Sequence, residues 1–296
     1  MYLIIDIGGT KTLIALFNQY GRVIKKSKFK TPTGRDEFLA VLKSALIPFT
    51  SRYAKKPLAP FASRYTKKNY LSPTAKLRLA LRQREIQQII IAIPGQVDQN
   101  IAAKFGNRPW RNLDLAQELK YLFNAPITLK NDADLATIYE STFHRGHTLY
   151  LTFSTGIGGG IAKRGQLAKN SSSVEPGHTR YEFDGKKQEW EDIASCNAIG
   201  AAYDTQATSV RGQKAYSDIA TRVSLGLPDL VKKYHPDTII IGGPLALQFP
   251  HIKTELRANL RRALPEVKKI PRITAAKRPK ESVIYGGYIF AKKQRR

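Results

Sequence analysis

Two glycine-rich turns, Gly8-Gly9-Thr10-Lys11 and Ser154-Thr155-Gly156-Ile157-Gly158-Gly159-Gly160, each follow a short apolar run and lie about half a chain apart. A strand that ends in glycine exposes backbone N–H groups with no Cβ in the way, and such groups bind phosphate oxygens. One such turn is a weak sign, because glycine also closes hairpins. Two of them, with Asn131-Asp132 in between, imply two halves closing around a phosphoryl donor, as in a small-molecule kinase. The Gly-x4-Gly-Lys spacing of a P-loop is absent from Gly8-Gly9-Thr10-Lys11-Thr12. Phosphoryl transfer to a hydroxyl also needs a base and a positioned acceptor. Asp132 follows a short strand and opens a helix, where a carboxylate can face a cleft or simply cap the helix. His144 and His147 flank Arg145-Gly146 and make a poor metal site.

The elements that must position these residues follow from apolar spacing. Tyr2–Ile7, Thr12–Phe17 and Arg22–Phe29 read as consecutive strands, punctuated by Gly8-Gly9 and Gly21. Asp36–Leu46 carries Phe38, Leu39, Leu42 and Leu46 at helical spacing, and Ile86–Ile93 is an unbroken apolar strand. Leu113–Phe123 predicts a helix, Ile127–Lys130 a strand, and Asn131 or Asp132 the cap of a helix through Phe143. Thr148–Phe153 enters the second turn and Ile161 lies in its return strand. Tyr216–Tyr234 predicts one long helix kinked at Pro228. Thr238–Ile241 closes on Gly242-Gly243, and Glu281–Lys293 is a last helix whose Gly286-Gly287 admits a close neighbour. Strand–glycine–strand openings in both halves predict one α/β fold used twice.

The chain has 296 residues, enough for two domains with sizeable cores. No apolar run approaches the roughly 20 residues of a membrane span. Met1–Ile5 leads straight into a strand, without the basic and small-residue signature of a signal peptide. Cys196 is the single cysteine, which excludes an internal disulfide and a cysteine-rich zinc site. The expected compartment is the cytoplasm. Lys and Arg number 49 against 23 Asp and Glu, a formal charge of +26. Phe38 to Arg84 holds eleven Lys or Arg and no acid; Val267 to Arg296 holds ten, with Glu281 the one acid. Such a field attracts polyanions, although a solubility need would also produce it. Within the first zone, Pro48–Lys56 recurs as Pro60–Lys68 at a period of 12 residues. This reads as a duplication inside a surface insertion over about 48–84. It is either a solvated loop or a segment whose cations and tyrosines meet nucleic acid or polyphosphate.

Six segments occur in the order found in ROK-family sugar kinases: Asp6–Lys11, Ile93–Asp98, Asn131–Asp134, Thr155–Gly160, Glu175-Pro176-Gly177-His178 and Ile241-Gly242-Gly243. The chain resembles that family from Met1 to about Ala291, the basic insertion excepted. The resemblance implies an α/β protein of two ribonuclease-H-like, actin/hexokinase-type domains with an interdomain cleft. The expected domains are 1–112 and 113–280, with residues 281–296 packing back on the first. By the same resemblance Asp132 is the base that takes the proton from a sugar hydroxyl. Asn107, Asn131, Glu175, His178 and Glu191 are the expected sugar ligands, and amide side chains suit sugars because each donates and accepts. Gly8, Gly9, Thr10, Lys11, Thr155, Gly156, Gly158 and Gly159 are expected at donor phosphates. Gly242 and Gly243 are expected under adenosine, and Asp6 at Mg²⁺ through water.

Many ROK kinases carry a Cys-x-Cys-Gly-x2-Gly-Cys zinc segment after Glu-x-Gly-His; here Arg180–Glu189 stands in its place. No zinc is therefore expected, and an ordinary hydrogen bond must orient His178. This segment resembles the zinc-free branch that contains the polyphosphate glucokinases, which adds polyphosphate to ATP–Mg²⁺ as an expected donor. The implied activity is phosphorylation of a hexose, glucose at its 6-hydroxyl foremost, by a homodimer without membrane contact. The alternative is a ROK-type sugar-responsive regulator or a non-catalytic sugar-binding protein, its basic insertion contacting nucleic acid. The repressors of the family begin with a winged helix, whereas this sequence opens on the kinase strand.

Overall fold

The computed structural model describes residues 1–50, 85–106, 108–169, 171 and 174–294. Most of the expected insertion, from residue 51 through 84, and the expected sugar ligand Asn107 lie outside the described residues. The chain divides into two compact units, Met1–Lys130 with Ala291–Arg296, and Asn131–Phe290. A boundary at 112/113 would cut through the first core, because Leu113, Leu115, Leu119, Phe123 and Leu129 belong to it.

In the first unit β1 (Tyr2–Ile7) turns at Gly8-Gly9 into antiparallel β2 (Lys11–Phe17), with Ile7 opposite Thr12. β3 (Val23–Lys30) pairs antiparallel with β2 and forms the sheet edge. Helix α1 (Arg35–Leu46) buries Phe38, Leu39, Leu42 and Leu46, the expected face, and then β4 (Gln88–Ile93) lies parallel to β1. A small sheet of β5 (Gly95–Asp98), β6 (Ile101–Phe105) and β7 (Arg111–Leu113) follows. Next come α2 (Leu115–Leu119) and β8 (Ile127–Asn131). The main sheet runs β3-β2-β1-β4-β8. Trp110 stacks on Phe38 at 4.9 Å between ring centres and is a core residue of this unit. The helix expected over Leu113–Phe123 is shorter at both ends, since Leu113 closes β7 and Asp114 caps α2 with its carboxylate on Gln117 N–H.

The second unit opens with α3 (Asp132–Ser141) and the hairpin of β9 (His147–Phe153) and β10 (Ile157–Lys163), followed by β11 (Gln166–Leu167). A second hairpin, β12 (Arg180–Phe183) and β13 (Lys186–Glu189), leads into the short helices α4 (Trp190–Ala194) and α5 (Cys196–Ala202). The long helix expected over Tyr216–Tyr234 is two helices, α6 (Gln213–Ser224) and α7 (Leu227–Tyr234). The break falls at Leu225-Gly226, ahead of Pro228, which sits in the first turn of α7 where its missing N–H costs nothing. Gly226 is required there because a Cβ would lie 2.6 Å from the Trp190 ring. β14 (Thr238–Gly242), α8 (Phe249–Ala263), β15 (Arg272–Ala275) and α9 (Ser282–Lys293) complete the chain. Helix α8 was not among the expected elements, although Phe249, Ile252, Leu256 and Leu260 give it a buried stripe. Gly286 of α9 lies against the Leu135 carbonyl with no room for a Cβ, as the glycine pair implied. Residues of α9 through Phe290 belong to this unit and Ala291 onward to the first.

The second sheet runs β11-β10-β9-β14-β15, with β14 parallel to β9 and to β15. Its connectivity matches the first: a glycine-turned hairpin, a third antiparallel strand, then parallel strands on the other side. The fold is α/β, with two ribonuclease-H-like units built on one plan.

Candidate active site

In the first unit the glycine turn is held by its carbonyls. Thr31 Oγ1 donates to Gly8 O at 2.9 Å, Thr31 N–H to Thr10 O at 3.0 Å, and Arg108 Nη2 to Gly9 O at 2.5 Å. Gly8 N–H closes the turn on Lys11 O at 3.0 Å. Among the described residues the amides of Gly9 and Thr10 take no backbone partner. The turn therefore has its acceptors tied down and donors left over, the polarity an anion needs. Asp6 sits one residue before the end of β1, and Lys11 is exposed at the start of β2. Neither Thr31 nor Arg108 was among the expected site residues, because both reach the turn from distant parts of the sequence.

In the second unit Asn131 is the cap of α3, its Oδ1 accepting Asp134 N–H at 3.0 Å. Asp132 is thereby released from capping. It is the first helical residue, and its Oδ1 accepts Ala133 N–H at 2.8 Å. Burial pushes the Asp132 carboxyl up to about 7; the Ala133 hydrogen bond opposes this and the Glu175 charge adds to it. A helix N-terminus ordinarily favours the carboxylate, so desolvation wins here. A carboxyl poised near neutrality can exchange a proton with a substrate at physiological pH.

Helix α3 is pinned along its length. Buried Asp134 accepts Ser171 Oγ at 2.7 Å, and that hydroxyl in turn accepts Ile161 N–H at 3.0 Å. Buried Glu140 accepts Lys277 N–H at 2.8 Å, Arg278 N–H at 3.1 Å and Ser282 Oγ at 2.6 Å. Each buried carboxylate thus has donors that offset its desolvation, and Asp132 rides on a fixed helix.

Glu175 precedes a 3₁₀ turn, Pro176–His178, and both Glu175 and His178 are exposed. The His178 ring Nδ1 is 2.9 Å from Glu189 Oε2 and 4.0 Å from Glu191 Oε1. The Glu189 hydrogen bond raises the imidazole above its ordinary range, with the Glu191 and Glu175 charges adding. Glu189 stands at the N-cap of α4 yet does not cap it; its side chain goes to His178 instead. The β12–β13 hairpin delivers it, pairing Arg180 with Glu189 around a turn in which Asp184 and Gly185 have φ of 50° and 71°. Glu191 occupies a notch in which its Oε2 would lie 2.5 Å from a Cβ on Gly156 and 2.7 Å from one on Gly177. Ile157 N–H donates to the same oxygen at 3.3 Å.

The second glycine run packs tightly. Thr155 is exposed at its tip, and Gly158 faces Ala133 of α3 across ordinary contact distance. A Cβ on Gly159 would meet Val174 at 3.0 Å, and Gly160 lies against Thr137 with no room for one. At the end of β14, Gly242 abuts the Tyr150 hydroxyl and Gly243 takes φ 67° beside the Phe153 carbonyl. Gly159, Gly242 and Gly243 thus have a packing reason as well as an expected ligand.

The sequence profile of the ROK family matches residues 74–294. The chain belongs to the ROK family. It is 26% identical over 197 residues to a xylose repressor of Bacillus spizizenii, a match covering 57% of this chain and 51% of that protein. It therefore spans about half the length of that relative. Among solved structures it is similar to a ROK family glucokinase from Streptomyces griseus in complex with glucose and AMPPNP, at a TM-score of 0.73 and 20% identity over 98% of this chain and 99% of that one. It is also similar to the inorganic polyphosphate/ATP-glucomannokinase of Arthrobacter sp. strain KM, at a TM-score of 0.67 and 20% identity over 99% and 98%. Likeness at such identity speaks for the fold. Proteins named as repressors, a fructokinase and glucokinases all stand among its relatives.

Residues Arg180–Glu189, expected in place of a cysteine-rich zinc segment, form the β12–β13 hairpin. His178, Glu189 and Glu191 each offer a ligand atom, all within 4.8 Å of one another. One imidazole and two carboxylates without a thiolate do not match the closed Cys/His set of a structural zinc. Cys196 is no substitute, since burial pushes its thiol up to about 12 and its Sγ donates to Phe153 O at 3.2 Å.

Proposed function

We propose that this ROK protein is a sugar kinase that moves the terminal phosphoryl group of ATP or polyphosphate to a hexose hydroxyl, glucose 6-OH foremost. The observation that supports this most is Asp132: freed from capping by Asn131, fixed on α3, and carrying a carboxyl poised at about 7. Glu175, His178 and Glu191, with Asn131 and Asn107, hold the sugar hydroxyls. Asp132 takes the proton of the reacting hydroxyl, whose oxygen bonds to the terminal phosphorus as the bond from phosphorus to the donor oxygen breaks. The donor leaves one phosphate shorter, and Asp132 later gives its proton to solvent. Amides of Gly8, Gly9 and Thr10 with Lys11, and of the Thr155–Gly159 turn, receive the donor phosphates; Gly242 and Gly243 lie under the adenosine of ATP. Asp6 would hold Mg²⁺ through water, and the ion would supply positive charge to the transferred group. Glu189 orients His178 by the hydrogen bond that the missing cysteine segment made necessary. Among the described residues no helix is long and apolar enough to cross a membrane. A cytoplasmic homodimer is the setting we favour.

The likeness to a xylose repressor favours a second reading, a sugar-responsive regulator that binds sugar without turning it over. A sugar-by-donor activity matrix on the purified chain and its Asp132→Asn variant decides between them. The kinase reading expects turnover with at least one hexose and one donor, abolished in the variant. Sugar binding without turnover for any donor overturns it.

A further inference from the structure

From Ile7 through Arg35 the sequence holds seven Lys or Arg and no acid, and the structure gives part of that charge a shape. Along β3, exposure alternates residue by residue: Lys26, Lys28 and Lys30 are exposed on one face, while Lys25, Ser27 and Phe29 turn to the other. Side chains two apart on a strand stand ~7 Å from each other on the same face. The three ammonium groups therefore form an evenly spaced row. The strand register sets Lys30 directly opposite exposed Lys11, so the row continues into the glycine turn.

A Lys–Lys pair facing each other across strands is destabilising by itself, and among the described residues no acid forms an ion pair with Lys11, Lys28 or Lys30. Edge strands do use charge to resist pairing with other chains. That need is already met by Lys25, which turns inward to donate to Pro48 O at 3.0 Å. What remains is a linear cationic track that starts where the amides of Gly9 and Thr10 await an anion.

The geometry points to a binding track for an inorganic polyphosphate chain along Lys30, Lys28 and Lys26, with the chain's reacting end at the Gly8–Lys11 turn. This rests on the proposed donor role of that turn. The track fits bare phosphates better than nucleic acid, because Lys26, Lys28 and Lys30 share their face of β3 with no aromatic side chain on which a base could stack. The triphosphate of ATP is short and need not reach past the turn.

The test uses the full chain with glucose and either long-chain polyphosphate or ATP as donor, at two salt concentrations. The triple variant Lys26→Gln/Lys28→Gln/Lys30→Gln is expected to raise KM for polyphosphate more than tenfold. KM for ATP and for glucose should stay within twofold. Its polyphosphate binding should lose about 2 from the slope of log affinity against log salt, as removal of three cation–phosphate contacts requires. Should the triple variant fold poorly, Lys28→Gln alone is expected to raise the polyphosphate KM about threefold. Unchanged polyphosphate KM in the variants overturns the track. So does a parent chain that neither binds nor uses polyphosphate at low salt, or a single-stranded oligonucleotide that displaces it at equal phosphate concentration. If ATP-dependent turnover persists while polyphosphate fails, the track falls and the kinase reading stands. If polyphosphate binding depends on these lysines but no donor gives turnover, the track stands and the kinase reading falls.

Discussion

The two units share a sheet plan and a glycine-turned hairpin, yet they use glycine for different reasons. In the first, the turn's carbonyls are tied to Thr31 and Arg108 and its amides are left over. In the second, Gly156 clears space for the Glu191 carboxylate, while Gly160 admits Thr137 of helix α3. A repeated topology preserves where the chain bends; the side chains that arrive from elsewhere decide what each bend does. On the proposed function, the first turn serves the donor and the second lies beside Glu191 and His178, the expected sugar ligands.

The variant that would break this picture most severely is Asp132→Asn. Loss of a general base should lower kcat by about 10²–10⁴, with sugar affinity held within about tenfold because the lost interaction belongs to the transition state. A variant that keeps a tenth of the parent rate in steady-state assays removes Asp132 from the mechanism.

Paired glycine substitutions sharpen the contrast between the turns. Gly156→Ala drives a Cβ toward Glu191 Oε2, 2.5 Å away, and should raise KM for the sugar by about tenfold, more than it raises KM for the donor. Gly8→Ala places its Cβ 3.0 Å from Lys11 O and should do the reverse, raising KM for the donor. Equal effects of both variants on both substrates would mean that the turns are not specialised.

Glu189→Gln tests the hairpin's part in the sugar site. The His178 imidazole should titrate closer to its ordinary 6.5 by NMR. KM for the sugar should rise about three- to tenfold, the net worth of one ordinary hydrogen bond. An unmoved His178 titration would show that Glu189 does not hold the ring.

The last test concerns stability against pH. Asp132 sits at about 7 in the folded chain against an ordinary 3.8. The folded state therefore holds more protons than the unfolded state between those values, and this group's contribution to stability falls as pH rises through that window. Asp132→Asn should then raise stability by about 1–3 kcal/mol at pH 8 and not at all below pH 4, by chemical unfolding. Parent activity should fall below about pH 7 as the carboxyl protonates. A stability difference independent of pH would contradict the buried-carboxyl account.

What the sequence determined by itself is local. β1, β2, β4, α1, β9 and β14 stand close to where apolar runs and glycine stops predict them, because strand and helix periodicity is written in neighbouring residues. The same holds for the cap of α3, where an Asn-Asp pair before an apolar helix leaves two candidates. Only the folded chain shows that Asn131 takes the cap and leaves Asp132 desolvated. The break between α6 and α7 was hidden because its cause, the Trp190 ring against Gly226, lies 36 positions away. Tertiary structure alone decided that Glu189 would hold His178, that Thr31 and Arg108 would anchor the first turn, and that Lys11 would face Lys30. In each case the energy comes from groups that hydrogen bonding, packing or strand register brings together, and no local pattern in a sequence records which distant residue will arrive.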